Sequence, residues 1–124
     1  MITGFEEQTE PLTDMEREVF LPPIIKGLYV KVGKQKAVTN KDIVRGLKAN
    51  CDIKIGEARV RKIINHIRNN DIIPCLIATS KGYYIAETPE EVDDYIDSLY
   101  GRIEAITADA ESMKRQKSER WPTT

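Results

Sequence analysis

Apolar residues recur at helical spacing near the start of the chain and predict an interrupted first helix. The stretch "TDME" at 13–16 places a threonine and a glutamate three positions apart, which is the reciprocal capping box of a helix start. Apolar residues then keep roughly helical spacing, namely Met15, Val19, Phe20, Ile24, Leu28 and Val32. Pro22 and Pro23 interrupt them, and a proline inside a helix lacks a backbone donor and collides with the preceding turn. We therefore expect a kink, or two short helices that meet at Leu21.

Two more amphipathic helices follow after a polar connection. In that connection Ala37 and Val38 indicate a short extended piece, and Thr39 is the expected N-cap of a helix that ends near Asn50. A third helix is predicted from about residue 57 to 70, with one apolar stripe and one polar, basic face. The stripe consists of Val60, Ile63, Ile64 and Ile67.

A β-hairpin is predicted directly after the third helix. "IIPCLIATS" and "GYYIA" are rich in β-branched, apolar and aromatic residues, and "SKG" between them supplies the turn. Gly82 is able to adopt a positive φ in such a turn, and Lys81 lies at its tip. Pro74 indicates that the first strand is irregular at its start or lies at an edge.

The C-terminal segment has the longest regular pattern in the chain. "TPEE" at 88–91 predicts a helix start with Thr88 as N-cap, and a helix from there to about Lys117 is about 43 Å long. Its apolar positions recur at alternating steps of four and three, which is a heptad pattern typical of helix pairing. These positions are Val92, Ile96, Leu99, Ile103, Ile106, Ala110 and Met113.

Charge is distributed unevenly, although the net charge of the chain is only −1. Residues 1–25 sum to −5, residues 26–81 to +9 and residues 82–124 to −5. A basic segment between two acidic ones favours an anionic partner for the middle of the chain.

Several function classes are disfavoured by what the chain lacks. Cys51, Cys75 and a single histidine, His66, are too few for a zinc site or a disulfide framework, so we expect no metal and no cofactor. No nucleophile has a base near it in sequence, and no phosphate-binding loop of the Walker type occurs, so we do not expect an enzyme. The chain start lacks a signal-peptide pattern, and no apolar run is long enough for a membrane helix, so a cytoplasmic protein is expected.

The order helix, helix, helix, strand, strand resembles the winged helix-turn-helix family of DNA-binding proteins. The resemblance is carried by "LTDMEREVFLPPIIKGL", "AVTNKDIVRGLK", "ARVRKIINHIR" and "ATSKGYYIA", and within the family it is greatest for small proteins of phages and mobile elements. The fold class expected is α+β and mostly α, a winged helix-turn-helix domain followed by a long heptad helix. The predicted parts are a flexible acidic arm at 1–12, the winged domain at 13–87, the long helix at 88–118 and a tail at 119–124.

The resemblance implies that the third helix enters the major groove of double-stranded DNA and that the hairpin, at 72–86, contacts the backbone or the minor groove beside it as a wing. Helical geometry supports a role for the polar face, because Arg, Lys and Asn are side chains that bind guanine and adenine edges. On that face the sequence directs Ala58, Arg61, Lys62, Asn65 and Asn69 outward, with Arg59 on a flank. Lys41, Lys54 and Lys81 are the expected phosphate contacts.

The heptad stripe predicts a homodimer through the long helix, although folding back on the domain's own first helix is an alternative. An antiparallel pair brings Asp93 near Lys114 and Arg102 near Asp109, which favours that orientation weakly. The expected function is regulation of transcription or replication in a phage or mobile element. The competing hypothesis is a winged-helix adaptor that binds protein within a replication or packaging assembly. The sequence identifies neither the DNA site nor an effector, and it leaves RNA binding open.

Overall fold

A computed structural model describes residues 10–123 of the chain. It is mostly helical, with one two-stranded antiparallel hairpin and one long C-terminal helix. The chain divides into two compact units, Met1–Glu87 and Thr88–Thr124. Most of the predicted acidic arm, residues 1–9, lies outside the described residues. Leu12, the last residue assigned to that arm, is instead buried in the core of the first unit.

The first helix, α1, consists of a π-helical segment, Glu16–Phe20, that continues as an α-helix, Leu21–Leu28. The two segments join at Leu21, as expected, and the backbone N–H of Leu21 donates to the carbonyl of Glu16, five residues earlier. The wide turn ends where Pro22 and Pro23 begin, because neither proline has a backbone N–H to donate to the preceding turn.

The π-helical segment also determines which side chains of α1 face the core. Every fourth residue from Leu12 to Leu28 is buried. In a regular α-helix, residues at that spacing rotate gradually around the helix axis, and the extra residue in the wide turn compensates for this rotation. The buried residues are Leu12, Glu16, Phe20, Ile24 and Leu28. Met15 and Val19, which the apolar pattern included, are 56 % and 41 % exposed.

The second and third helices, α2 (Asn40–Cys51) and α3 (Glu57–Asn69), have the predicted bounds to within one residue. Thr39 caps α2 with both hydrogen bonds of a capping box, and the bond from its backbone N–H lowers the pKa of Asp42. The predicted stripe of α3 is confirmed. Its four residues, Val60, Ile63, Ile64 and Ile67, are at most 1 % exposed and form the centre of the core.

The predicted hairpin is present as strands β1 (Leu76–Thr79) and β2 (Gly82–Ile85), with Lys81 exposed at its tip. β1 begins later than the apolar run suggested, because Pro74 cannot donate to a strand partner and Cys75 has a φ of 61°. The predicted extended piece is confirmed at Val38, which pairs with Tyr83 through two backbone hydrogen bonds of 2.7 and 3.0 Å.

The connection from α1 to α2 therefore lies along the outer edge of the hairpin. α1 ends at Leu28 rather than near Val32, and Val32 forms a parallel bridge to Ile85. A 3₁₀ turn, Lys34–Lys36, follows before the chain reaches Val38.

The second unit is one helix, α4 (Pro89–Arg120), of 32 residues, which corresponds to about 48 Å. It begins at Thr88, whose hydroxyl accepts from the backbone N–H of Glu91 at 3.3 Å, and it extends three residues beyond the predicted end. None of its described residues is buried. Within residues 10–123, no helix has both the length and the apolar character that a membrane span requires.

Candidate nucleic-acid interface

The polar face of α3 is anchored by the buried stripe on its opposite side. Four cations and one acid lie on this helix, and the first two turns carry most of them. Six of the predicted contact residues are exposed, namely Lys41, Lys54, Ala58, Arg59, Asn69 and Lys81. Arg61, Lys62 and Asn65 are partly buried, and an ion pair with Glu16 of α1 accounts for the burial of Lys62.

Glu16 of α1 binds two of the cations of α3. Its carboxylate accepts from the Lys62 ammonium at 2.7 Å through Oε1, and Oε2 lies 3.2 Å from Nε of Arg59. The same carboxylate accepts from the backbone N–H of Thr13 at 2.9 Å, which closes the predicted capping box. Although Glu16 is only 2 % exposed, its charge is thus compensated by three donors.

The prediction that Lys62 points away from the core is wrong. Its side chain is only 12 % exposed and lies against α1, because the buried carboxylate of Glu16 attracts its ammonium group. Helical periodicity assigned Lys62 to the polar face of α3 correctly, but the start of α1 covers part of that face. A contact between Lys62 and another molecule would first have to break this ion pair.

The ion cluster formed by Glu16, Arg59 and Lys62 also determines the protonation of Glu16. Burial alone raises the pKa of a carboxyl group, but the hydrogen bonds from Lys62 and Thr13, together with the Lys62 charge, outweigh it and hold the pKa of Glu16 below its ordinary value. Glu16 is therefore ionised at neutral pH, and the two bound cations keep their partner.

Tyr83 of β2 joins the hairpin to the start of α2. Its hydroxyl donates to Oδ1 of Asn40, the first residue of α2, at 2.6 Å. Burial raises the pKa of Tyr83, and the positive charges of Arg61 and Arg68 act in the opposite direction. The start of α2, the hairpin and two arginines of α3 thus lie close together on one side of this unit.

Arg61 and Arg68 define an arginine edge of α3, opposite the edge that Glu16 occupies. They are seven residues apart and share one side of the helix, which periodicity could have indicated, although Arg68 was not among the predicted contacts. Within residues 10–123, Arg61 forms no ion pair, so none of the carboxylates in that range neutralises its guanidinium charge.

The loops beside the arginine edge add lysines. The hairpin turn is closed by Thr79, whose hydroxyl accepts from the backbone N–H of Lys81 and donates to the carbonyl of Gly82, each at 3.2 Å. The 3₁₀ turn that leads to Val38 carries Lys34 and Lys36, both exposed. These side chains suit nonspecific attraction of a polyanion.

The other reactive groups that the sequence drew attention to are metal-ligating side chains and two cysteines. Between residues 10 and 123 there is no group of three or more His, Cys, Asp or Glu side chains that could hold a metal ion. Cys51 and Cys75 are free thiols, and both are exposed.

Comparisons with protein-family models, with curated proteins and with solved structures found no match for this chain.

Proposed function

We propose that this chain is a non-enzymatic, cytoplasmic DNA-binding protein of the winged helix-turn-helix type. In this proposal α3 enters the major groove of duplex DNA and the hairpin contacts the backbone beside it as a wing. Regulation of transcription or replication in a phage or mobile element is the role that the resemblance of the sequence favours.

The observation that supports the proposal most is the hydrogen bond between Tyr83 and Asn40. It joins the hairpin to the start of α2, and the positive charges of Arg61 and Arg68 on α3 are near enough to act on the same Tyr83 hydroxyl. A helix flanked by a second helix start and a basic hairpin offers adjoining contacts to one groove and its two phosphate walls. In the described part of the chain no carboxylate pairs with Arg61, and its charge supports binding of such a ligand.

Arg61→Ala is expected to weaken duplex binding by about 1–3 kcal/mol, roughly 5- to 150-fold, because it removes one charged donor from the arginine edge. The measurement is fluorescence anisotropy with a labelled duplex. Arg115→Ala is the matched control, since it removes the same side chain and charge from an exposed position of α4 to which no DNA contact is assigned. Equal affinity for wild type and Arg61→Ala would contradict the assignment of α3 as the contact helix.

We further propose that α4 pairs with α4 of a second copy in an antiparallel homodimer. Its heptad residues are accessible to a partner: Ile96 is 41 %, Ile103 56 %, Ile106 66 % and Met113 63 % exposed. A helix of this length with an apolar stripe is stabilised when the stripe is covered.

Charge complementarity supports a second copy as the occupant of the stripe. Residues 89–104 of α4 carry six acids and one arginine, whereas residues 112–120 carry four cations and one acid. An antiparallel arrangement places the acidic part of each helix beside the basic part of the other, and a parallel one places like charges together.

Ile103→Asp is expected to convert the dimer into a monomer, because it places a charge at the middle of the apolar seam. Ala105→Asp is the matched control, since it adds the same charge two positions away on the outer face of the same helix. Light scattering of the three proteins measures the mass directly. A dimeric Ile103→Asp variant, or a monomeric wild type, would refute the pairing of α4 through its apolar stripe.

A further inference from the structure

Arg59 lies in the first turn of α3, the part of a groove-binding helix that approaches base edges most closely. Two buried groups of α1 hold its side chain. Its Nε is 3.2 Å from Oε2 of Glu16, and its guanidinium carbon lies 5.4 Å from the centre of the Phe20 ring. Both groups are 2 % exposed and belong to the core, so they are fixed points rather than mobile surface side chains.

The guanidinium group is thereby oriented without being covered. The Nε edge is bound to the carboxylate and one face is near the aromatic ring, while 47 % of the side chain remains exposed. The donors of Nη1 and Nη2 make up the rest of the planar fork. A fork whose rotamer is already fixed loses less conformational entropy when it binds than a free arginine does.

The two cations bound by Glu16 differ in how much of their side chains remains exposed. Lys62 is drawn inward to 12 % exposure, which removes a flexible point charge from the polar face. Arg59 is bound at one edge only and remains half exposed. Lysine suits a phosphate at many orientations, whereas a fixed planar fork matches the O6 and N7 acceptors of a guanine.

We propose that Arg59 is a specificity-determining residue that binds one guanine in the major groove, and that Glu16 is the positioning residue that holds it. This inference rests on the proposed DNA-binding function and adds to it the base and the residue pair that select it. The Phe20 ring lies near one face of the Arg59 guanidinium group, which is a common arrangement of arginine and aromatic side chains.

The test is selection of bound duplexes from a random-sequence library by wild type, Arg59→Lys and Glu16→Gln. For wild type we expect one position where guanine is preferred by about tenfold or more. Arg59→Lys keeps the charge but loses the fork, so the preference at that position should fall to less than about twofold, with the salt dependence of random-duplex binding unchanged.

Glu16→Gln separates positioning from simple electrostatics. Removal of a negative charge from this face should tighten binding to every duplex, whereas loss of the positioning contact should abolish the guanine preference at the same position as in Arg59→Lys. Both effects together are the expected result. Because Glu16 is buried, the folding of Glu16→Gln is checked by circular dichroism. Arg59→Lys, at a half-exposed position, tests the role of Arg59 in guanine selection whether or not Glu16→Gln folds.

The outcomes that overturn the inference differ from failure of the proposed function. A guanine preference that survives in Arg59→Lys, or duplex binding by wild type with no guanine preference at all, would overturn the role of Arg59. A preference that survives in folded Glu16→Gln would overturn the role of Glu16. If wild type binds no duplex at low salt, the proposed function fails and this inference fails with it.

Discussion

Replacing Gly82 with alanine is expected to destabilise the first unit by more than about 3 kcal/mol. Gly82 has a φ of 126°, and a Cβ atom there would lie 2.5 Å from the carbonyl oxygen of Val38 and 2.6 Å from its carbonyl carbon. These are backbone atoms of the pair that joins Val38 to Tyr83, so they have no room to move without breaking that pair. Urea denaturation followed by circular dichroism measures the loss.

Gly46→Ala is the control for this prediction. Gly46 lies inside α2, and apart from its chain neighbours and the backbone of its own helix no atom lies within 4 Å of the position its Cβ would take. The same chemical change is therefore expected to raise stability by up to about 1 kcal/mol. If the two variants unfolded at the same urea concentration, the close approach of Val38 to the hairpin would be refuted.

Glu16→Ala should cost about 3–5 kcal/mol, because it leaves the Lys62 ammonium nearly buried without a carboxylate. The double variant Glu16→Ala/Lys62→Met is expected to recover most of this loss, since removing both partners of a buried pair is close to neutral. The control is Asp14→Ala, whose pair with Arg17 is exposed and contributes at most about 1 kcal/mol. A Glu16→Ala variant as stable as Asp14→Ala would contradict the stabilising role of the ion cluster.

The same cluster predicts how stability depends on pH. The native pKa of Glu16 is lowered, so its contribution is present above the ordinary glutamate pKa and is lost as the pH falls through the native value. The urea midpoint of wild type should therefore decrease over this acidic range more steeply than that of Glu16→Ala/Lys62→Met. Parallel curves for the two proteins would contradict the lowered pKa.

Local patterns predicted the elements well, for identifiable reasons. The stripe of α3 has four apolar residues at helical spacing and no competing polar residue, so its buried side was unambiguous. The caps at Thr39 and Thr88 are short-range motifs that determine helix starts independently of the rest of the fold. Val38 was recognisable because its β-branched side chain follows a polar connection.

The ion cluster could not be predicted, because it depends on contacts between distant parts of the sequence. Glu16 was interpreted as a capping residue, which it is, but the π-helical segment also directs it toward α3. A π turn has no clear sequence signature, so the sequence did not show which residues of α1 face the core. For the same reason it did not show the orientation of Lys62. The hydrogen bond between Tyr83 and Asn40 joins residues 43 positions apart and was equally inaccessible to local patterns.

The central claim is that the first unit binds duplex DNA through the arginine edge of α3 and the basic loops beside it. It is tested most directly by fluorescence anisotropy of wild type with a random-sequence duplex at about 50 mM and about 200 mM salt. If about six side chains contact phosphates, affinity should fall roughly a thousandfold between the two conditions. Absence of binding at the lower salt, or an affinity that barely changes, would contradict the claim and favour a winged-helix adaptor that binds protein.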